Sequence, residues 1–226
     1  MKEKLSVVLV SGGMDSAVVC GIASKDYELA VLHINYGQRT EERELSSFHE
    51  IADFYNAKKK LVVNLEHFKT IGGTSLVDRN IKIPNGLSDE KVPSTYVPFR
   101  NAQFLSIAVS WAEVIGASAI FIGATEEDAA GYPDCRRIFY DVFNKLVQVG
   151  TRENTHIDIL TPIIDMSKGD IVRLGVKLGV PFELTWSCYR NNDTACGKCD
   201  SCLRRIRAFQ EAGVEDKIKY ESPPIM

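Results

Sequence analysis

Hydrophobic residues in this chain gather into short dense runs, and longer stretches of mixed polarity separate them. Leu5–Val10, Leu29–Ile34, Lys60–Leu65, Ala119–Gly123 and Ile157–Leu160 read as strands, most of them nearly all apolar. Between them, Asp15–Ser24, Glu41–Tyr55, Arg100–Ile115 and Phe139–Val149 carry apolar residues at helical spacing. Strands of this kind alternating with amphipathic helices predict an α/β fold, a parallel sheet of about five strands with helices on both faces. A further helix opens at Ser167, where Asp170 stands three residues on as in an N-terminal capping arrangement, and ends at Gly179 before Pro181.

Two stretches break the alternation. Residues 66–98 hold Gly72, Gly73, Pro84, Gly86, Pro93 and Pro98 with little periodicity, so they predict a long loop, which in a compact domain is commonly functional. The second break starts at Pro181. The chain therefore divides into an α/β domain over 1–180 and a smaller segment over 181–226.

The junction of the first strand and first helix reads Ser11-Gly12-Gly13-Met14-Asp15-Ser16. Glycine lets the backbone turn tightly and approach a ligand. The following helix directs unsatisfied N–H groups and a partial positive charge at the turn, a natural seat for phosphate. No lysine follows the glycines, so this is not the phosphate loop ending in Gly-Lys-Ser/Thr. The nucleotide-binding stretch is placed over Val10, Ser11, Gly12, Gly13, Met14, Asp15, Ser16, Ala17, Val18, Val19 and Cys20. Asp15 beside a polyphosphate calls for a cation between them, and Mg²⁺ fits; the alternative is a carboxylate that only complements the helix dipole. Lys168 opposes the dipole at its own helix start, so charge stabilisation of departing pyrophosphate is one reason for its position and a solvated lysine the other.

The composition fits an ordinary globular chain of 226 residues, 45% hydrophobic and 25% charged, with a net charge of −3 that suggests no polyanion-coating surface. No apolar run approaches a membrane span, and the first strand begins too early for a signal peptide, so a cytoplasmic chain is expected. The six cysteines suit that compartment if they do not form disulfides.

Four of them, Cys188, Cys196, Cys199 and Cys202, fall within fifteen residues among turn-forming Asn191, Asn192, Asp193 and Gly197. Four soft sulfurs suit one tetrahedral Zn²⁺ per chain with no open position, hence a structural role. An iron–sulfur cluster and a redox-active pair are the rival readings. Arg204, Arg205 and Arg207 follow on a helix, and a solvated face is their default reading. The scattered His33, His49, His67 and His156 have no ligand spacing, and Cys135 reads as packing.

The Ser-Gly-Gly-x-Asp-Ser loop resembles that of ATP-dependent adenylating enzymes, the adenine nucleotide alpha hydrolase-like superfamily. Asn35-Tyr36-Gly37-Gln38-Arg39, Tyr96-Val97-Pro98-Phe99-Arg100-Asn101, Tyr132-Pro133-Asp134-Cys135-Arg136 and Thr185-Trp186-Ser187-Cys188-Tyr189, in order with Cys196-Gly-x-Cys199-x-x-Cys202, narrow it. Together they resemble the 7-cyano-7-deazaguanine synthase family of queuosine biosynthesis from about residue 5 to residue 212. The chain departs from that pattern at Ala129-Ala130, where a polar pair is common, and at Val10, where phenylalanine is common.

The resemblance implies an ATP-dependent ligase that converts 7-carboxy-7-deazaguanine and ammonia to a nitrile through an activated carboxylate and then an activated amide. It implies small-molecule partners without direct nucleic acid or membrane contact, and a homodimer. Asp15, Lys168 and Arg100 are the catalytic candidates. Arg100 and Asn101 would meet the substrate, Asp134 would read the purine-like edge and Arg136 the 7-carboxylate; a local Asp–Arg pair closing a turn is the alternative for the last two. A tRNA-modifying relative and a zinc-dependent scaffold with a decayed site are the rival functions.

Overall fold

The computed structural model describes residues 4–87, 91–129 and 131–221. Five strands form one sheet: β1 (Lys4–Leu9), β2 (Tyr27–Asn35), β3 (Lys59–Asn64), β4 (Ala119–Phe121) and β5 (Asp158–Leu160). Their order is β3-β2-β1-β4-β5 and every pairing is parallel. The helices are α1 (Met14–Ala23), α2 (Glu41–Phe54), α3 (His67–Ile71), α4 (Arg100–Ile115), α5 (Glu126–Ala129), α6 (Arg137–Gly150), α7 (Lys168–Leu178) and α8 (Asp200–Ala212).

The period-2 geometry of β1 divides the core. Val8 and Val10 point to one face, where they pack with Val18 and Val19 of α1, Phe48 of α2 and Ile171 of α7. Val7 and Leu9 point to the other, packing with Leu105 of α4 and with Tyr140 and Phe143 of α6. Both faces are covered, which is why the central strands read as continuous apolar runs.

Strand order reverses between β1 and β4, so the connections leaving their carboxyl ends diverge and open a crevice, the usual ligand position in open α/β sheets. Ser167 caps α7 by accepting the Asp170 N–H, and Gly179 ends it in the left-handed region with φ of 68°, both as the sequence predicts.

The break after Pro181 is less separate than a division at 180 implies. Phe182 packs edge-on against Phe209 of α8 within the same core as α1 and α7. Arg205 of α8, expected on a solvated face, is instead 1% exposed. It donates Nε and Nη2 to the two Asp216 carboxylate oxygens at 2.7 and 2.9 Å, and Nη1 to Thr185 Oγ1 at 2.7 Å. A guanidinium can be buried there because its donors find acceptors in the matching geometry.

Candidate active site and metal centre

The crevice is walled by the turn after β1, the end of β2, the start of α4, the segment after β4, the start of α7 and the segment after Pro181. The turn after β1 needs glycine. Gly12 has φ of +89°, and a Cβ there would stand 2.7 Å from the Glu44 carbonyl. Gly123, after β4, serves the same end from the opposite side: a Cβ would meet the Asp15 backbone at 3.1 Å. Helix α1 therefore brings its N-terminus directly into the crevice. No side chain caps it, since Gly13 stands at the cap position. The loop steadies itself, with Gly13 N–H donating to Ser11 Oγ at 3.3 Å and Ser16 Oγ donating to the Gly13 carbonyl at 2.8 Å.

Val10, Ser11, Gly13, Met14, Asp15 and Ser16 line the crevice. Gly12 makes the turn behind them. Ala17, Val18, Val19 and Cys20 of α1 are buried in the core, so the crevice-facing stretch is shorter than expected at its C-terminal end. Of the Ala129-Ala130 pair, Ala130 lies outside the described residues.

Lys168 is 8% exposed at the first position of α7 and donates to two carboxylates, Asp15 Oδ2 and Asp128 Oδ2, both at 2.8 Å. Burial works against its charge, but the two carboxylates outweigh burial and hold the ammonium above its ordinary range. Asp128 adds a bond from Thr125 Oγ1 at 2.9 Å, and the lysine outweighs burial to keep its carboxyl below the usual range. Burial prevails at Asp15 and raises its pKa. Its second oxygen, Oδ1, is buried with no hydrogen-bond partner. An unsatisfied carboxylate oxygen beside a second carboxylate is a suitable donor set for a hard divalent cation. Asp128 carried no motif in the sequence and emerges only from the crossover after β4.

On the far wall, Arg100 donates to Tyr36 Oη at 3.1 Å and stacks over the Tyr36 and Phe104 rings. Phe99, just before it, has φ of 57° and cannot cap α4. Asp134 does so instead: Asn101 N–H donates to Asp134 Oδ2 at 2.8 Å, and Asn101 Nδ2 donates to the Asp134 carbonyl at 3.0 Å. Arg100 and Asn101 line the crevice, whereas Asp134 and Arg136 do not. The Asp134 carboxylate is occupied by the helix, and Arg136 is exposed. Cys135 does reach the crevice, but burial pushes its thiol up to about 12, which suits packing and not nucleophilic attack.

His33 lies at the crevice floor, with Nδ1–H donating to the Val10 carbonyl at 2.8 Å and Nε2 3.0 Å from Asn35 Oδ1. Burial lowers its pKa against the two oxygens. Glu44, which the sequence reading passed over, lines the wall behind the loop with its carboxyl raised by burial to about 7.

The long loop is fastened at both ends of its middle section. Arg39 donates to the Asp78 and Ile81 carbonyls at 2.9 and 2.6 Å, while Arg190 donates to those of Ile83 and Pro84 at 2.5 and 2.9 Å. Leu76 is thereby held at the crevice, and Ile83 is inserted among the cysteines.

Cys188, Cys196, Cys199 and Cys202 are buried with their sulfurs all within 4.8 Å of one another, and Cys196 and Cys202 are 3.9 Å apart. A tetrahedral ion with metal–sulfur bonds of about 2.3 Å needs sulfurs roughly 3.8 Å apart. Backbone N–H groups of Arg190, Asn191 and Cys196 approach Cys188 Sγ at 3.4 Å, and those of Lys198 and Cys199 approach Cys196 Sγ at the same distance. The group can bind one metal ion with every position filled by protein. It adjoins the crevice through Trp186, whose backbone N–H donates to the Gly12 carbonyl at 2.8 Å and whose ring lies under Arg43.

Among the described residues no helix is long and apolar enough to cross a membrane. The fold is similar to that of NMN synthetase from Francisella tularensis, with a TM-score of 0.52 at 14% identity over 95% of this chain and 79% of that one. In sequence the chain is 56% identical to a 7-cyano-7-deazaguanine synthase of Chlorobium luteolum over 97% of both chains. It is 54% identical to that of Chloroherpeton thalassium over 97% of this chain and 98% of the relative. A family model described as Queuosine biosynthesis protein QueC matches residues 5–213, and the chain belongs to that family.

Proposed function

We propose that the protein is an ATP-dependent carbon–nitrogen ligase that converts 7-carboxy-7-deazaguanine and ammonia to 7-cyano-7-deazaguanine. The observation that carries this reading is the uncapped N-terminus of α1 facing Lys168, Asp15 and Asp128 at the strand-order reversal, in a chain whose curated relatives bear the synthase name. The N–H groups of the Ser11–Ser16 turn suit the β- and γ-phosphates of ATP. Asp15 and Asp128 would hold Mg²⁺, which when bound supplies positive charge against the phosphate oxygens. Lys168 keeps a fixed positive charge at the same wall, where negative charge grows on departing pyrophosphate. Arg100, held by Tyr36, presents a planar cation to the ring carboxylate opposite.

In the first half-reaction the carboxylate oxygen attacks the α-phosphorus and pyrophosphate leaves; ammonia then displaces AMP to give the amide. In the second, the amide oxygen is activated in the same way and AMP departs as the nitrile forms. One site serves both because each activation presents an oxygen to the α-phosphorus of an ATP held in the same place, a second ATP replacing the first, so positioning is the principal contribution. The cysteine group would hold one structural Zn²⁺, tying the segment after Pro181 to the phosphate turn. A cytoplasmic homodimer completes the reading. The exposed apolar stripe Ile138, Val142, Leu146 and Val149 on α6 offers a self-complementary face to a second copy.

Mass analysis of products after incubation with ATP, Mg²⁺, ammonium and 7-carboxy-7-deazaguanine tests the reading. Nitrile, AMP and pyrophosphate are expected. No consumption of the acid, or its consumption without any amide or nitrile, overturns it.

A further inference from the structure

Helix α2 begins with Glu41, Glu42 and Glu44, an acidic start that the helix dipole favours. Glu44 is set apart by its surroundings. Thr40 Oγ1 donates to its Oε1 at 2.7 Å and Gln38 Nε2 to its Oε2 at 3.1 Å. Gln38 is itself fixed, because its Oε1 accepts the Tyr36 N–H at 2.8 Å. Each carboxylate oxygen thus has one neutral, oriented donor; the residue lines the crevice, and its backbone carbonyl stands directly behind Gly12. The charged groups that act on it are Arg100 from α4 and Glu41 from its own helix, and burial dominates both.

The proposed chemistry needs a proton acceptor at this wall. Ammonium is protonated at neutral pH, and the nitrogen sheds protons again on the way to the nitrile. Of the other titratable groups lining the crevice, Asp15 and Asp128 each give one oxygen to Lys168, His33 has an oxygen against each ring nitrogen, and Tyr36 bonds Arg100. Cys135 is a protonated thiol.

Resting on the ligase reading, we propose that Glu44 is the proton acceptor of the amide-forming and nitrile-forming steps. When ammonia forms its bond to the acyl carbon, the C–O bond to AMP breaks with its electron pair leaving on the phosphate oxygen, and Glu44 takes a proton from nitrogen. In the second half-reaction, with Glu44 having returned its proton to solvent, the amide oxygen bonds to the α-phosphorus of a second ATP, the bond to pyrophosphate breaks, and one N–H proton leaves with the pyrophosphate. Then the last N–H proton goes to Glu44, that bond's electron pair becomes the third C–N bond, and the C–O bond breaks to release AMP. A carboxyl raised to about 7 is divided between its two forms at neutral pH, as an acceptor that must be regenerated each cycle requires.

Rapid-quench measurement of Glu44→Gln with the acid, ATP and either ammonium or hydroxylamine tests this. Amide formation from ammonium is expected to fall on the order of 100-fold, far more than pyrophosphate release. Hydroxylamine, neutral at the same pH, is expected to restore acyl transfer towards the wild-type rate. The wild-type amide-forming rate should show a limb near pH 7 that is lost in the variant. An undiminished amide rate, or equal losses with both nucleophiles, overturns the proposal. Gln38→Leu guards against misfolding of the first variant: loss of one donor to the carboxylate should move the wild-type limb to higher pH, and an unmoved limb overturns the proposal too. If the wild type releases no pyrophosphate with acid and ATP, the ligase reading falls and this proposal falls with it.

Discussion

Asp134 accepts the backbone N–H of Asn101 at 2.8 Å and so caps the helix that carries Arg100 into the crevice. The carboxylate reaches α4 from the short turn after α5, replacing a cap that Phe99 in its left-handed conformation cannot give. Loss of a helix cap costs about 0.5–2 kcal/mol. Asp134→Ala is therefore expected to lower stability and to weaken the acid substrate and its amide alike, through displacement of Arg100. Arg136→Ala should cost neither stability nor affinity beyond about twofold, whereas Arg100→Ala should weaken the acid on the order of tenfold to a hundredfold more than the uncharged amide. Affinities of the two ligands for the three variants, with their thermal midpoints, check this. A selective loss of the acid in Arg136→Ala would return the carboxylate contact to that residue.

Metal removal should be felt at the phosphate turn. Elemental analysis is expected to find about one zinc per chain. Cys199→Ser should lower both metal content and unfolding cooperativity. Because the Trp186 backbone N–H bonds the Gly12 carbonyl, ATP affinity is expected to fall together with metal content during titration with a chelator. ATP binding unchanged in metal-free protein would refute the linkage.

Asp15→Asn keeps the side-chain shape but removes a charge that burial penalises. The thermal midpoint is expected to stay within a few degrees or to rise, since Lys168 retains Asp128. Pyrophosphate release should fall on the order of 100-fold or more if metal and phosphate charge are managed at that carboxylate. Calorimetry alongside a pyrophosphate assay separates this from a plain helix-start role, which would lower stability and leave turnover per folded molecule intact.

Glu44 also predicts a stability profile. Its carboxyl holds a proton more tightly folded than unfolded, so its contribution is fully present below about pH 4.5 and lost as pH rises through about 7. Denaturant unfolding of wild type and Glu44→Gln should therefore diverge in favour of glutamine by on the order of 1–3 kcal/mol across that window. Parallel profiles would place the ordinary carboxyl range back on Glu44.

The sheet was legible because β1 and β2 are buried on both faces and are therefore mostly apolar, and because α7 carries clear start and stop residues. The Ser11–Ser16 turn and the cysteine group were legible because their chemistry lies in contiguous spacing. What escaped reading has a long-range cause. Asp128 gains meaning only when the β4 crossover brings it to Lys168, and Glu44 is indistinguishable in sequence from its neighbours Glu41 and Glu42. Arg39 and Arg190 bond backbone carbonyls of the long loop, which carry no side-chain signature, and Arg205 becomes an internal anchor only because Asp216 folds back to it. Asp134 was read as a ligand contact, since a carboxylate that caps a helix more than thirty positions earlier leaves no local mark.

Asp15 and Lys168 are separated by 153 positions, and Gly12 meets its Trp186 partner across a comparable span. During synthesis, the phosphate turn thus leaves the ribosome long before either partner exists. A nascent chain that has made only the first strands and helix has neither the lysine nor the tryptophan backbone that complete the site, so the crevice is not closed until α7 and the cysteine segment have docked. Such distant closure slows folding, and it also makes the completed crevice an all-or-none property of the finished molecule.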